Sequence, residues 1–376
     1  MRFSIDTLTL KKGLDIVNHA TASVGATPIL ENILIKANYN SILLTANNLE
    51  MAIEHVITEG VSIDVEGEFS VPSKLFTSYV GLVSEDNISI ELTSGDNLIL
   101  KTVSSDVKIK GIPASDFPLI PVIKEVNSFN IDSNILKKGI EKTLFSAAEG
   151  NIRPTLAGIY LNLDKQNIAL ASTDSFRLSE YKLELNSEIK DDFAQIIPSK
   201  TARELRTLID AGDDIKVITG QNQVAFIFGN TKLYSRLLNG KFPDYSNFFP
   251  TSYSTKAVIN RVDLIQALKK INLISKENNY SVRMSFSSEQ GILMETNETQ
   301  IGEGKLDLTG SIEGEDSTVG VNSQYMQEVL ETIETTHISV SFESALSPIM
   351  IKPIYEKEED KKKQGEFKHI IMPLKI

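Results

Sequence analysis

Apolar residues recur along this chain in two rhythms. Phe3 and Ile5 alternate with polar neighbours, and so do the runs around Ile42-Leu43-Leu44, Ile168-Ala169-Leu170 and Ile292-Leu293-Met294, which predicts strands. Between such runs the period lengthens to that of a helix. Leu136, Ile140 and Leu144 with Phe145 and Ala148 share one helical face, as do Leu264, Ile265, Leu268 and Ile271. The pattern predicts helices over 7–22, 74–83, 133–149, 199–211, 261–276 and 323–335. Ser73, Ser199 and Ser323 stand where an N-cap is expected. Ile88–Leu92 and Leu98–Leu100, parted by Ser94-Gly95-Asp96-Asn97, read as a hairpin. Few helices and many antiparallel strands make the fold class α+β.

The pattern is written three times. Phe3-Ser4-Ile5-Asp6 with Leu10-Lys11-Lys12-Gly13-Leu14 returns as Phe129-Asn130-Ile131-Asp132 with Leu136-Lys137-Lys138-Gly139-Ile140. A looser copy runs Ala257-Val258-Ile259-Asn260, then Leu268-Lys269-Lys270-Ile271. A second marker follows in each copy: Val71-Pro72-Ser73-Lys74, Ile197-Pro198-Ser199-Lys200 and Val321-Asn322-Ser323-Gln324. The spacing, about 125 residues, is that of a whole domain and not of a solenoid unit. Ile112-Pro113-Ala114-Ser115-Asp116-Phe117-Pro118 and Leu238-Asn239-Gly240-Lys241-Phe242-Pro243-Asp244-Tyr245 close the first two copies. We therefore expect three tandem domains over 1–125, 126–252 and 253–376. The mixed-charge run Glu356-Lys357-Glu358-Glu359-Asp360-Lys361-Lys362-Lys363 reads as a solvated hairpin loop before the last strand.

Composition narrows the function by what it lacks. The chain is 41% hydrophobic and 23% charged, ordinary for a globular protein. It has no cysteine, so disulfides and thiolate chemistry are excluded, and a cytoplasmic location is expected. No run reaches the ~18 apolar residues of a membrane span, and the start reads as a strand, not a signal peptide. There is no P-loop, no G-x-G-x-x-G and no G-x-S-x-G elbow. His19, His55, His337 and His369 are scattered, with no metal-ligand spacing. Thr173-Asp174-Ser175 matches Asn47-Asn48-Leu49 and Asn297-Glu298-Thr299 in the other copies, which is turn chemistry. No catalytic residue, cofactor or metal is expected.

Charge points elsewhere. The net charge of −12 argues against binding phosphates. Yet the six expected helices hold 13 Lys+Arg against 9 Asp+Glu, a net of +4, which leaves −16 for the rest. Their cations include Lys11, Lys12, Lys74, Lys137, Lys138, Lys142, Lys200, Arg203, Arg206, Arg261, Lys269, Lys270 and Lys276, while Glu328, Glu331 and Glu334 make the last helix acidic. Basic helices on an acidic body suit phosphate contact without base reading. The plain alternative is solvated helix faces made of good helix formers.

Six motifs, in this order and with the threefold repeat, give the chain a family likeness over its whole length. They are Thr27-Pro28-Ile29-Leu30, Leu49-Glu50-Met51, Ala114-Ser115-Asp116-Phe117-Pro118, Thr173-Asp174-Ser175-Phe176-Arg177-Leu178, Gly240-Lys241-Phe242-Pro243-Asp244-Tyr245 and Ile371-Met372-Pro373-Leu374-Lys375-Ile376. The chain resembles the bacterial DNA polymerase III beta subunits, the sliding clamps. The resemblance implies the DNA clamp fold: three copies of one domain, helices on the inner face, antiparallel sheets outside, and a head-to-tail homodimeric ring. It implies a tether that encircles double-stranded DNA without reading sequence and confers processivity, with no catalysis of its own. Its partners would be a second copy of itself, the polymerase alpha subunit, a clamp loader and other proteins carrying clamp-binding peptides; no membrane is implied.

Carried over position by position, the family's peptide cleft falls on Leu156, Thr173, Ser175, Phe176, Arg177, Leu178, Pro243, Phe248, Asn322, Tyr325, Leu346, Pro348, Ile370, Met372, Pro373, Leu374, Lys375 and Ile376. Apolar walls with a few polar groups suit a short linear peptide. The family usually shows Gly-His or Gly-Tyr where this chain has Ser175-Phe176, and often Arg at Asn247. DNA contact falls on Lys74, Arg153 and Lys200, joined by the helix cations Lys11, Lys12, Lys137, Lys138, Arg203, Arg206, Lys269 and Lys270. Val24, Pro154 and Thr155 replace basic or aromatic DNA contacts of the family. The ring interface falls on Lys101 and Ile109 of the first domain and Leu273 and Ile274 of the third. Ser104 and Asp106 replace family arginines there, so we expect closure by apolar packing and strand pairing. Two other readings compete: an enzyme on a triplicated scaffold, which no motif favours, and a clamp-fold protein that has lost DNA.

Overall fold

The computed structural model describes residues 1–22, 25, 27–150, 152–185 and 192–375. The six expected helices form: α1 (Thr7–Asn18), α2 (Ser73–Leu82), α3 (Ser133–Thr143), α4 (Ser199–Leu208), α5 (Arg261–Ser275) and α6 (Ser323–Thr332). Five are shorter than their periodicity predicts. In α3 the Thr143 hydroxyl donates back to the Gly139 carbonyl (2.7 Å), and the chain tightens into a 3-10 turn over Leu144–Ser146. The mixed-charge run joins two antiparallel strands, Ile349–Ile354 and Glu366–Ile371, and is largely solvated as expected, but it coils into a further helix, α7 (Glu358–Gln364), instead of an open loop. Three acids in its first turn and three lysines in its last complement the helix dipole, so the run coils while staying largely exposed.

The conserved grammar of the repeats has a physical origin in the caps. The Asp or Asn that ends each opening strand accepts hydrogen bonds from the helix it starts: Asp6 from Thr9 N (2.7 Å), Asp132 from Asn134 N (2.7 Å), Asn260 from Val262 N (2.9 Å). The serines expected as caps are instead the first helical residues. Ser73 donates to Asn18 Oδ1 (2.5 Å), Ser199 to the Ala157 carbonyl (2.8 Å) and Ser323 to the Tyr280 carbonyl (3.0 Å), tying each helix start to an earlier element. Asn322 caps α6. The repeated Lys-Lys-Gly is equally physical. A Cβ on Gly13 would lie 2.8 Å from Ile57 Cδ1, and one on Gly139 2.6 Å from Leu170 Cδ1. At each glycine the neighbouring side chain comes this close because that position is bare.

Contacts group the chain into two compact units. The first, 1–134 with 207–237, holds two antiparallel sheets. One orders its strands Val61–Val65, Arg2–Asp6, Asn87–Thr93, Asn97–Lys101, Asp106–Lys110. The other runs Asn127–Asp132, Asp214–Thr219, Gln223–Phe228, Thr231–Arg236, Met51–Ile57, Ser41–Asn47, Asn32–Asn38, Gly67–Pro72. Here α1 packs on α2 and on the strands Ser41–Asn47 and Met51–Ile57.

The second unit, 135–206 with 238–376, has a nine-stranded sheet in which Phe193–Pro198, Gly158–Asp164, Asn167–Thr173 and Arg177–Glu184 continue into Glu366–Ile371, Ile349–Ile354, His337–Phe342, Thr255–Asn260 and Gly310–Gly314. A four-stranded sheet ends at Lys305–Leu308, and α5 packs on α6. The central repeat thus gives four strands to a sheet of each unit. At these two junctions, Thr231–Arg236 on Met51–Ile57 and Arg177–Glu184 on Glu366–Ile371, a strand edge of one repeat is satisfied by another repeat.

Candidate partner-peptide cleft and basic helix faces

The turn between the strands Asn167–Thr173 and Arg177–Glu184 is the centre of the site. Thr173 Oγ1 accepts from Ser175 N (3.0 Å) and donates to the Arg177 carbonyl (2.6 Å). Asp174 Oδ1 accepts from Phe176 N (2.8 Å) and Arg177 N (3.0 Å). This locks Ser175 at φ +81°, left-handed backbone that favours glycine. The turn presents Phe176 outward, 62% exposed.

Arg177 points the other way. It is buried, donates to Asp174 Oδ2 (3.0 Å) and to Glu328 on α6, and stacks 4.2 Å from the Tyr325 ring and 5.5 Å from Phe145. The cleft surface expected of Arg177 is therefore a support: its guanidinium binds the turn to α6. Leu156, Leu178 and Ile370 are likewise floor. Leu156 packs with Ala171, Ile196 and Phe242, and Leu178 packs with Met350 and Ile370.

Tyr245 joins these two clusters. Its ring meets Phe242 edge-on at 5.9 Å and Phe249 at 6.2 Å, while Phe242 stacks on Tyr160 at 5.0 Å. Burial and then Glu180 push its phenol far above the usual range. Tyr245, Phe249 and Met350 were not among the expected site residues, although Tyr245 stands in the Gly-Lys-Phe-Pro-Asp-Tyr motif and was there to be found.

The rim holds most of the remainder. Phe248 (55%) and Met372 (41%) are exposed, as are Ser175, Pro243 and Lys375. Thr173, Asn322, Tyr325, Pro373 and Leu374 are half-buried. The tail crosses the site by backbone bonds, Met372 N to the Phe176 carbonyl (2.8 Å) and Leu374 N to the Gly320 carbonyl (2.9 Å). Leu346 and Pro348 stand outside both clusters, and Ile376 lies outside the described residues. Arg153, expected at DNA, donates to Ser175 of this turn. Among the described residues no group of His, Cys, Asp or Glu is placed to hold a metal.

The helix cations form a second feature. As folded, α1 to α6 carry 12 Lys+Arg against 6 Asp+Glu, a net of +6 and sharper than the expected +4 because Glu149, Asp210 and Glu334 fall outside the helices, along with Lys276. Lys11, Lys12, Lys74, Lys200, Arg203, Lys269 and Lys270 are exposed; Lys137, Lys138 and Arg206 are half-buried. Arg153 and Pro154 are exposed and Thr155 half-buried, while Val24 lies outside the described residues. Two helix cations serve the fold instead. Arg261 donates to the Thr335 (3.0 Å) and Leu330 (3.3 Å) carbonyls, closing the end of α6, and buried Lys142 donates to the Thr332 carbonyl.

Of the residues expected at a ring interface, Leu273 is 76% exposed, Ile274 half-buried and Lys101 exposed within 4.0 Å of Glu91. Ile109 departs from expectation: at 1% exposure its side chain belongs to the core of the first unit, because the inward face of its strand is needed there. Leu82 (85%) and Val103 (98%), which the sequence reading missed, are exposed apolar side chains of that unit, Val103 in the turn between Asn97–Lys101 and Asp106–Lys110. The turn beside Val103 is clipped to Glu85, which accepts from Thr102 Oγ1 (2.8 Å), Ser104 N (3.3 Å) and the Ser104 hydroxyl. These bonds hold the Glu85 carboxyl down at about 2.

Known proteins are similar to this chain along its whole length. Three family models match in chain order: the N-terminal domain of the DNA polymerase III beta subunit over 1–121, its central domain over 130–244 and its C-terminal domain over 246–375. The beta sliding clamp of Bacillus subtilis is 26% identical over 361 residues, covering 94% of this chain and 96% of that protein. That of Streptococcus pneumoniae is 26% identical over 385 aligned positions, covering 100% and 99%. Among solved structures, the beta subunit of DNA polymerase from Streptococcus pyogenes superposes with a TM-score of 0.93 at 25% identity over the full length of both chains. The sliding clamp of Bacillus subtilis does so with 0.93 at 25%, covering 100% of this chain and 99% of that one.

Proposed function

The chain belongs to the DNA polymerase III beta subunit family, non-catalytic accessory subunits of that polymerase, and from this premise we propose that two copies close head to tail around duplex DNA and tether a polymerase to its template. The observation that carries the proposal is the charge split: helices at +6 in a chain of −12, leaving −18 elsewhere. Basic helices facing a phosphate backbone through water hold it loosely, so the ring slides. Linkage by topology then raises the effective concentration of whatever the ring carries. The three repeats, 1–125, 126–252 and 253–376, serve as the clamp domains.

The cleft around Phe176, Phe248, Met372 and Tyr245 is the docking site for a short, partly apolar peptide of the polymerase, the loader or other clients. Its support is an apolar floor under exposed apolar rim residues, an arrangement that water disfavours. Ring closure uses the strands Asp106–Lys110 and Lys305–Leu308, each the last of its sheet, with Leu273 as apolar contact.

Retention on primed circular DNA, after loading with a matching clamp loader and ATP, tests the reading. Retention on the circle with loss after linearising is expected. Equal retention on both forms would replace topological linkage by surface binding, and none on either, with a loader shown to work, would refute clamp function.

A further inference from the structure

The backbone frame of the Phe176 turn is built a second time, in the first unit. Leu49 has φ +71° where Ser175 has +81°. Asn47 Oδ1 accepts from Leu49 N (2.8 Å) as Thr173 Oγ1 does from Ser175 N. Asn48 Oδ1 accepts from Glu50 N (3.1 Å) and Met51 N (2.9 Å), as Asp174 Oδ1 does from Phe176 N and Arg177 N. Arg236 N donates to the Glu50 carbonyl (3.0 Å), as Met372 N does to that of Phe176. A bulky residue such as Leu49 adopts positive φ only where its surroundings impose it, so the frame is specified twice.

On that frame lies a groove of about 90 Å³, walled by Leu49, Met51, Leu119 and Ile123 and rimmed by Glu50 and Arg236. That is room for one apolar side chain, roughly three times the volume of a water. Leu119 is 92% exposed and Leu49 51%, so two of the walls stand in water over a buried Met51 and a half-buried Ile123. The rim differs in chemistry from its counterpart: charged Glu50 and Arg236 occupy the places of Phe176 and Met372. Neither side chain makes an ion pair with another described residue.

We propose that this groove is a second peptide site, taking an extended segment with one apolar anchor beside a carboxylate that Arg236 binds. The inference rests on the reading of the Phe176 cleft as a peptide site. A second copy of the chain is a poorer occupant, since a stable protein interface buries about 800 Å² per partner and this groove seats one side chain. The two sites would accept different sequences, because one rim is apolar and the other charged.

The test is a titration of the full chain, with its Met, Leu and Ile methyls labelled for NMR, by the peptide acetyl-Ala-Leu-Asp-Ala-amide. Saturable shifts are expected at Met51, Leu119 and Ile123, abolished by L119D, a change at an exposed position, and weakened about tenfold by R236E, the loss of one charge-assisted contact. Shifts confined to Met350, Met372 and Leu374 would overturn this proposal and leave the Phe176 cleft standing. Shifts at neither site would overturn this proposal alone, since the apolar rim of the Phe176 cleft calls for a different sequence. Equal affinity in R236E would overturn the carboxylate assignment. Shifts at Met51 that follow protein dilution instead of peptide would give the face to a second copy and likewise overturn it.

Discussion

Replacing Arg177 by alanine separates a supporting role from a peptide contact. The guanidinium is 9% exposed and pairs with Asp174 (16%) and Glu328 (30%). Removing one member of a fully buried pair costs about 3–5 kcal/mol, because it strands the other charge. Two features lower the figure here. Asp174 keeps two backbone N–H donors, and Glu328 keeps Gln324 Nε2 at 2.9 Å and partial access to water. Lost stacking on Tyr325 adds to the penalty. We expect a loss of roughly 2–3 kcal/mol. For a unit of roughly 210 residues that lowers the melting temperature by about 4–12 °C. Arg177→Lys should recover only part, since an ammonium lacks the fork that reaches both carboxylates. Calorimetry on Arg177→Ala, Glu328→Gln and the double variant gives the coupling, and the double variant should be less destabilised than the sum of the singles. Peptide affinity measured below the transition should fall only modestly. An unchanged melting temperature with peptide binding abolished would refute the supporting role and make Arg177 a direct contact.

Three further outcomes are expected. Ser175→Gly should stabilise the second unit by about 1 kcal/mol by relieving a left-handed φ, offset in part by the lost Arg153 bond; a lower melting point would mean that this bond outweighs the strain. Leu273→Asp should shift sedimentation equilibrium toward a 41.6 kDa monomer, whereas an unchanged dimer would remove Leu273 from the interface. Lys142 is held down to about 8 from 10.5, chiefly by burial, with Glu334 and Glu141 opposing and Lys138 and Arg261 assisting. Between pH 8 and 10.5 the unfolded chain binds more protons at this site, so its contribution to stability rises with pH there. The melting temperature of Lys142→Met relative to the parent should therefore be highest below pH 8 and decline toward pH 10; a difference independent of pH would assign Lys142 only its bond to the Thr332 carbonyl.

Much of this protein was determined by sequence alone. Local rules act within a few residues, so the alternation of Phe3 and Ile5 and the helical stripe through Leu136 and Ile140 announce elements that form, whereas the caps expected at Ser73, Ser199 and Ser323 were misplaced. The excess of cations on helices is local too, and it sharpened once the true helix ends excluded three acids and a single lysine. The ends themselves were less legible, because Thr143 and the 3-10 turn after it compete with continuation in ways periodicity does not record. The run 356–363 was misread for a related reason: its order of charges, acids before lysines, outweighed its polarity.

Tertiary structure decided which edges meet and which polar groups turn inward. Three equal repeats do not reveal that the central one divides its strands between two sheets, since pairing joins residues as far apart as Arg177 and Ile371. No spacing marks Ile109 as core, Arg177 as a tie to Glu328, or Tyr245 as the link between two clusters. Each depends on partners distant in the chain, and burial of a charged or aromatic group is favourable only where the fold supplies those partners.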